Sequence, residues 1–171
     1  MLGGIRMRDG APECEILAVQ SNLANTYSWL GRDEEALSMR REVYSRTLKL
    51  FGEEHSQTLI EANNYASLLK NLKCFEETNL LLRKTIPVTR RILGKGHRLT
   101  LKMRLGYAEA LHSDDRATLE DLREAVTTLE ETQRIARRVF GGAHPLTEGI
   151  EDSLRRVCET RERRSERMKN N

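Results

Sequence analysis

One seven-residue pattern appears three times in the chain. Gly52-Glu-Glu-His55-Ser-Gln-Thr58 recurs as Gly94-Lys-Gly-His97-Arg-Leu-Thr100, and again as Gly141-Gly-Ala-His144-Pro-Leu-Thr147. The first two copies lie 42 residues apart and the last two 47. The stretches between them repeat as well. Leu23-Ala24, Tyr65-Ala66 and Tyr107-Ala108 keep the 42-residue step, while Glu35-Ala36, Glu77-Thr78 and Glu124-Ala125 step by 42 and then 47. The five additional residues of the last interval therefore fall between Ala108 and Glu124, and are placed near 113–118. A fixed period of this length restricts the chain to a stack of similar supersecondary units, each burying its apolar face against the next.

Each unit reads as two helices. Ile16, Gln20, Leu23, Tyr27 and Leu30 form one apolar stripe at helical spacing. Pro12, Glu13 and Glu15 mark the helix start. Gly31-Arg32-Asp33 is a short turn in which Asp33 is positioned to cap the next helix. Ala36, Met39, Val43, Leu50 and Phe51 stripe that second helix, which Gly52 stops. The second unit follows as 58–72 and 75–93, with Pro87 expected to kink its second helix. The third is 99–112 and 118–140, beginning early because Leu119, Leu122, Val126 and Leu129 extend the stripe backwards. A last helix over 145–164 places Ile150, Leu154 and Val157 on one face, the pattern of a capping helix. Composition agrees: 24 Leu against 8 aromatics and 3 Pro favours helix over sheet. The small residues Ala24, Ala36, Ala66, Ala108 and Ala125 mark closest helix contacts.

The Leu-Ala or Tyr-Ala pair in the first helix, Glu-Ala at the start of the second, and Gly-x-x-His between units resemble the tetratricopeptide repeat (TPR), in its 42-residue kinesin-light-chain-type form. The resemblance covers about 17–158. It departs from the pattern at Lys73, where a turn Gly belongs, at Thr78, where a small Ala belongs, and at the insertion in unit three. It implies an all-α, right-handed α-solenoid of antiparallel helix pairs, with three TPR-like units plus a C-terminal capping helix. The expected boundaries are a flexible segment at 1–12, units at 13–55, 56–97 and 98–144, a capping helix at 145–164 and a charged tail at 165–171. No heptad segment for a motor heavy chain accompanies the repeats.

Catalytic and metal chemistry find little support. His55, His97 and His144 occupy one point of successive units, too far apart to share a metal ion with ligand bonds of ~2 Å. They are expected to hydrogen-bond the link between units. Cys14, Cys74 and Cys158 lack the spacing of a disulfide framework or zinc site, and are read as belonging to a reducing, cytoplasmic setting. No nucleophile elbow or phosphate-binding loop is found. No enzyme activity, cofactor or metal is therefore expected. No apolar run is long enough to insert in a membrane. The net charge is +3. Residues 155–171 hold seven Arg or Lys and three Glu. Those Glu interrupt the basic run and no aromatics interleave, so nucleic acid is not expected as a partner.

A protein or peptide partner is expected instead. In a solenoid the first helices of successive units line the concave groove. Candidate groove residues are Asn22, Asn25 and Trp29 in unit one, Asn63, Asn64, Ser67, Lys70 and Asn71 in unit two, and Lys102, Glu109 and His112 in unit three. An Asn amide both donates and accepts, which matches a peptide backbone, and in related TPR proteins such residues read one. The same asparagines also fit a solvated wall or a brace between units. Trp29 fits either an anchor or a plug under the turn. His112 also reads as an exposed surface histidine. A chaperone-type carboxylate clamp is disfavoured: Asn25, Asn64 and Lys102 are present, but Ser21 and Gly106 stand where Lys and Arg are needed. Two function classes remain, a groove-binding interaction module and a structural subunit docking by its outer surface or ends. The oligomeric state is open.

Overall fold

The computed structural model describes residues 10–169. Seven α-helices follow one another: α1 (Gly10–Trp29), α2 (Asp33–Phe51), α3 (Ser56–Asn71), α4 (Phe75–Leu93), α5 (Arg98–Ser113), α6 (Leu119–Phe140) and α7 (Pro145–Lys169). No strand occurs among the described residues. The chain forms two compact units, one through Leu68 and one from Leu69 onward. In the first, α1 packs on α2 and α2 on the beginning of α3. In the second, α4 packs on α5, α5 on α6 and α6 on α7, with α5 also meeting α7.

The repeated heptapeptide proves to be a three-part joint. Its Gly ends one helix in the left-handed region, with φ of 82° at Gly52, 92° at Gly94 and 85° at Gly141. Each donates its N–H to the carbonyl four residues back, on Leu48, Arg90 and Arg137. A residue with a Cβ would be strained there. The His starts the next helix. Nδ1 of His55, His97 and His144 accepts from the backbone N–H of Gln57, Leu99 and Leu146 at 3.1–3.2 Å, satisfying a donor that the helix leaves open. His55 and His144 also stack on Phe51 and Phe140. The Thr is buried in all three copies. Thr100 donates its hydroxyl to Gly94 O at 2.9 Å, tying the new helix to the joint. The expected histidine role is thus observed.

The turn between α3 and α4 departs instructively. Lys73, at the register of Gly31, has a φ of 61° beside the glycine's 72°. The tight link imposes a left-handed residue there whichever side chain is present. Thr78 replaces the small residue of the register, is fully buried, and donates its hydroxyl to Cys74 O at 2.8 Å. Ala24, Ala36, Ala66, Ala108 and Ala125 are all buried, as close helix packing requires.

The insertion lies where the phase shift places it. α3 and α5 both have 16 residues. The link 114–118 exceeds its counterpart 72–74 by two positions, and α6 has 22 residues where α4 has 19. The added first turn of α6 carries its own capping box between Thr118 and Asp121. α4 runs unbroken through Pro87.

Several expectations need correction. Asp33 does not cap α2; the cap position is Arg32, whose side chain does not cap the backbone but pairs with Glu35, and Asp33 is the first helical residue. α1 begins at Gly10, so the segment expected to be flexible is helical over 10–12, while 1–9 lies outside the described residues. α7 continues to Lys169, through most of the segment read as a tail. Its extension after Ser165 is Glu166-Arg167-Met168-Lys169, all good helix formers. The apolar stripe of α1 is not the buried one. Leu17, Ser21 and Ala24 face α2, while Ile16, Leu23 and Leu30 are exposed. Leu50 of α2 is exposed as well.

Candidate functional site: a polar cleft on α5 and α7

In the N-terminal unit the polar side chains of α1, α2 and α3 converge on one buried ion pair. Arg40 and Glu61 are each 4% exposed and lie 3.2 Å apart. Ser21 donates to Glu61 at 3.1 Å and accepts from Arg40 at 2.6 Å. Gln57 adds a donor to Glu61 at 3.1 Å. Burial pulls the Arg40 guanidinium below its ordinary value, and Glu61 pulls it back. A buried pair of this kind requires its remaining lone pairs and protons to be satisfied. Two candidate groove residues serve that need: Asn25 Oδ1 accepts from Arg40, and Asn64 Nδ2 donates to Glu61 at 3.4 Å. Asn22 is exposed on α1 and Asn63 is half-buried on α3. Trp29 is 88% exposed, which removes the plug reading.

In the C-terminal unit a cleft of about 430 Å³ opens beside the last turn of α3, α5 and α7. Four candidates line it: Lys70, Asn71, Glu109 and His112. Glu109 is its hub. It pairs with Lys70, accepts from the Ser153 hydroxyl at 2.8 Å, and has Arg156 at 3.7 Å. His112 Nε2 lies 3.2 Å from the Thr160 hydroxyl. Burial first, then the charge of Arg156, holds its imidazole below the ordinary value, against the pull of Glu109. Phe75 adds apolar surface, and Lys73 and Arg156 add positive charge. Ser67 and Lys102 are exposed and do not line this cleft.

Sequence reasoning missed the α7 wall, Ser153 and Arg156. The signal was present. Carrying the 47-residue step one register further aligns Gly106 with Ser153 and Glu109 with Arg156. α7 is thus a first helix of the repeat as well as a cap.

The cleft offers hydrogen-bond donors, acceptors and charge. Among the described residues no three His, Cys, Asp or Glu side chains converge as a metal site. No described helix is long and apolar enough to cross a membrane.

Comparison with known proteins agrees with this architecture. Residues 16–57 match the family model of the tetratricopeptide repeat. Two crystal structures of a Podosopora anserina "putative kinesin light chain" with nearly identical TPR-like repeats superpose with TM-scores of 0.75 and 0.73. Both are 22% identical over 96% of this chain and 74% of theirs. BtubC (BKLC) from P. vanneervenii superposes with a TM-score of 0.57 at 16% identity, over 94% of this chain and 68% of that one. At these identities the likeness establishes the fold. No curated protein matches the sequence.

Proposed function

We propose that this tetratricopeptide-repeat fold serves as a non-catalytic protein-interaction module, holding an extended segment of a partner in the cleft of α5 and α7. TPR folds are generally protein–protein interaction modules. The observation that carries the finer reading is the convergence of Lys70, Glu109, His112 and Arg156 on one open cleft. These side chains come from three first helices, the surface on which a repeat array presents its groove. The exposed Asn71 supplies a donor and an acceptor able to read a peptide backbone. Arg156, 62% exposed beside a Glu109 already shared with Lys70, supplies a cation able to meet a carboxylate of the ligand. We place this binding in the cytoplasm, where the half-buried free thiols of Cys14, Cys74 and Cys158 stay reduced.

Selection of binders from a displayed random-peptide library tests this. Selected peptides are expected to lose binding by roughly tenfold or more to the Arg156→Glu protein, as a charge-assisted contact turns repulsive, with the melting temperature unchanged. Peptides that bind Arg156→Glu as well as wild type would remove the cleft from the account. The second reading, a structural subunit docking by its outer surface or ends, is favoured by one observation, the exposed apolar face of α1 at one end of the array.

A further inference from the structure

The face of α1 that carries Ile16, Val19 and Leu23 corresponds, one repeat later, to Thr58, Glu61 and Tyr65, and then to Thr100, Met103 and Tyr107. Those six residues are all buried. In each case the preceding helix covers them. Thr47 and Arg40 of α2 meet Thr58 and Glu61, while Thr89 and Arg83 of α4 meet Met103 and Tyr107. On α1 the same positions are bare: Ile16 is 50% exposed, Val19 66%, Leu23 38% and, further along, Leu30 67%. From Ile16 to Leu30 the sequence contains no Asp, Glu, Lys or Arg, in a chain that is 32% charged. A monomer seldom leaves a long uncharged stripe to water.

We propose that this face binds α1 of a second copy of the chain, antiparallel, about a two-fold axis at Leu23. The stripe is self-complementary. Ile16, Val19, Leu23, Tyr27 and Leu30 step by three, four, four and three residues, so the pattern reads the same in both directions from Leu23. An antiparallel pair sets Leu23 on Leu23, Val19 on Tyr27 and Ile16 on Leu30. A two-fold contact requires this pairing of a surface with itself. The ends are complementary in charge. Glu15 lies eight residues before Leu23, and Arg32, in the turn that follows α1, nine after it, so the acidic end of one copy faces the basic end of the other. Arg32 is held at that end by its ion pair with Glu35 of the same chain and by stacking over the Tyr27 ring, 4.5 Å from its centroid. The arrangement also repeats what the face does elsewhere in the chain, which is to receive an antiparallel helix. It does not rest on the cleft of α5 and α7, on the other unit.

Sedimentation of the full chain across a concentration series provides the first measurement. A dimer mass is expected, shifting to monomer in Leu23→Glu with helical content unchanged. A second variant keeps the test decisive if that one misfolds. Leu23→Cys, in a background of Cys14→Ser, Cys74→Ser and Cys158→Ser, places two thiols at the axis. Mild oxidation with dissolved oxygen should convert most of it to a disulfide-linked dimer, whereas Asn22→Cys in the same background should stay largely uncrosslinked. A wild-type monomer at every concentration, a dimer indifferent to Leu23→Glu, or equal crosslinking at the two positions would each overturn the proposal.

Discussion

Lys73 holds a conformation that costs an L-residue ~1–2 kcal/mol. Its φ of 61° matches that of Gly31 one repeat earlier. Lys73→Gly should therefore raise stability by about 1 kcal/mol, read as a higher denaturant midpoint. The joint histidines are testable in the same way. His97→Ala removes the acceptor for the Leu99 N–H and should cost ~1 kcal/mol, while His97→Asn, a favoured capping residue, should recover most of it. The Arg40–Glu61 pair makes the strongest residue-level claim. Arg40→Met leaves the Glu61 carboxylate buried without its partner, a loss of ~3–5 kcal/mol. Arg40→Met with Glu61→Leu should be milder than Arg40→Met alone, by thermal or chemical melting. His112 gives the pH dependence. Its folded-state value is held below the ordinary 6.5, so the unfolded chain takes up the proton first as pH falls. This contribution is complete above 6.5 and is lost as pH drops through the depressed value. Wild type should lose more melting temperature than His112→Gln between about pH 7.5 and about pH 5.

At the scale of elements, α7 is both wall and cap. Ile150 and Val157 are almost fully buried, worth ~1.5–3 kcal/mol each against the ~5–15 kcal/mol of a typical domain. Deleting 145–171 should lower the melting temperature steeply or precipitate the protein, as light scattering during a thermal ramp would show. The repeat made most elements legible: helix pairs, joints and the position of the insertion all follow from phase. Two things did not. The buried side of α1 was misread because a first helix has two apolar faces, one toward its hairpin partner and one toward a preceding helix, and periodicity weighs both alike. The Arg40–Glu61 pair was invisible because its members lie 21 residues apart on different helices, each looking like an ordinary surface charge. Of the candidate site, the part on α3 and α5 was legible as polar residues of first helices. The α7 part was not, because an amphipathic last helix reads as a cap before it reads as a further repeat.

At the scale of the molecule, charge is distributed unevenly. The net +3 of the chain is less than the net +4 of residues 155–171, so the remainder is slightly acidic. All of its charged residues lie on α7, the helix that brings Arg156 to the cleft and sends Arg164 to the carbonyl of Ala117 in the inserted link. A partner segment bearing carboxylates is accordingly the ligand the account expects. The most direct measurement is amide chemical-shift mapping of the full chain with a selected peptide bound. The largest shifts are expected at Lys70, Asn71, Glu109, His112, Ser153 and Arg156. Shifts confined to α1, or to the second helices α2, α4 and α6, would contradict it.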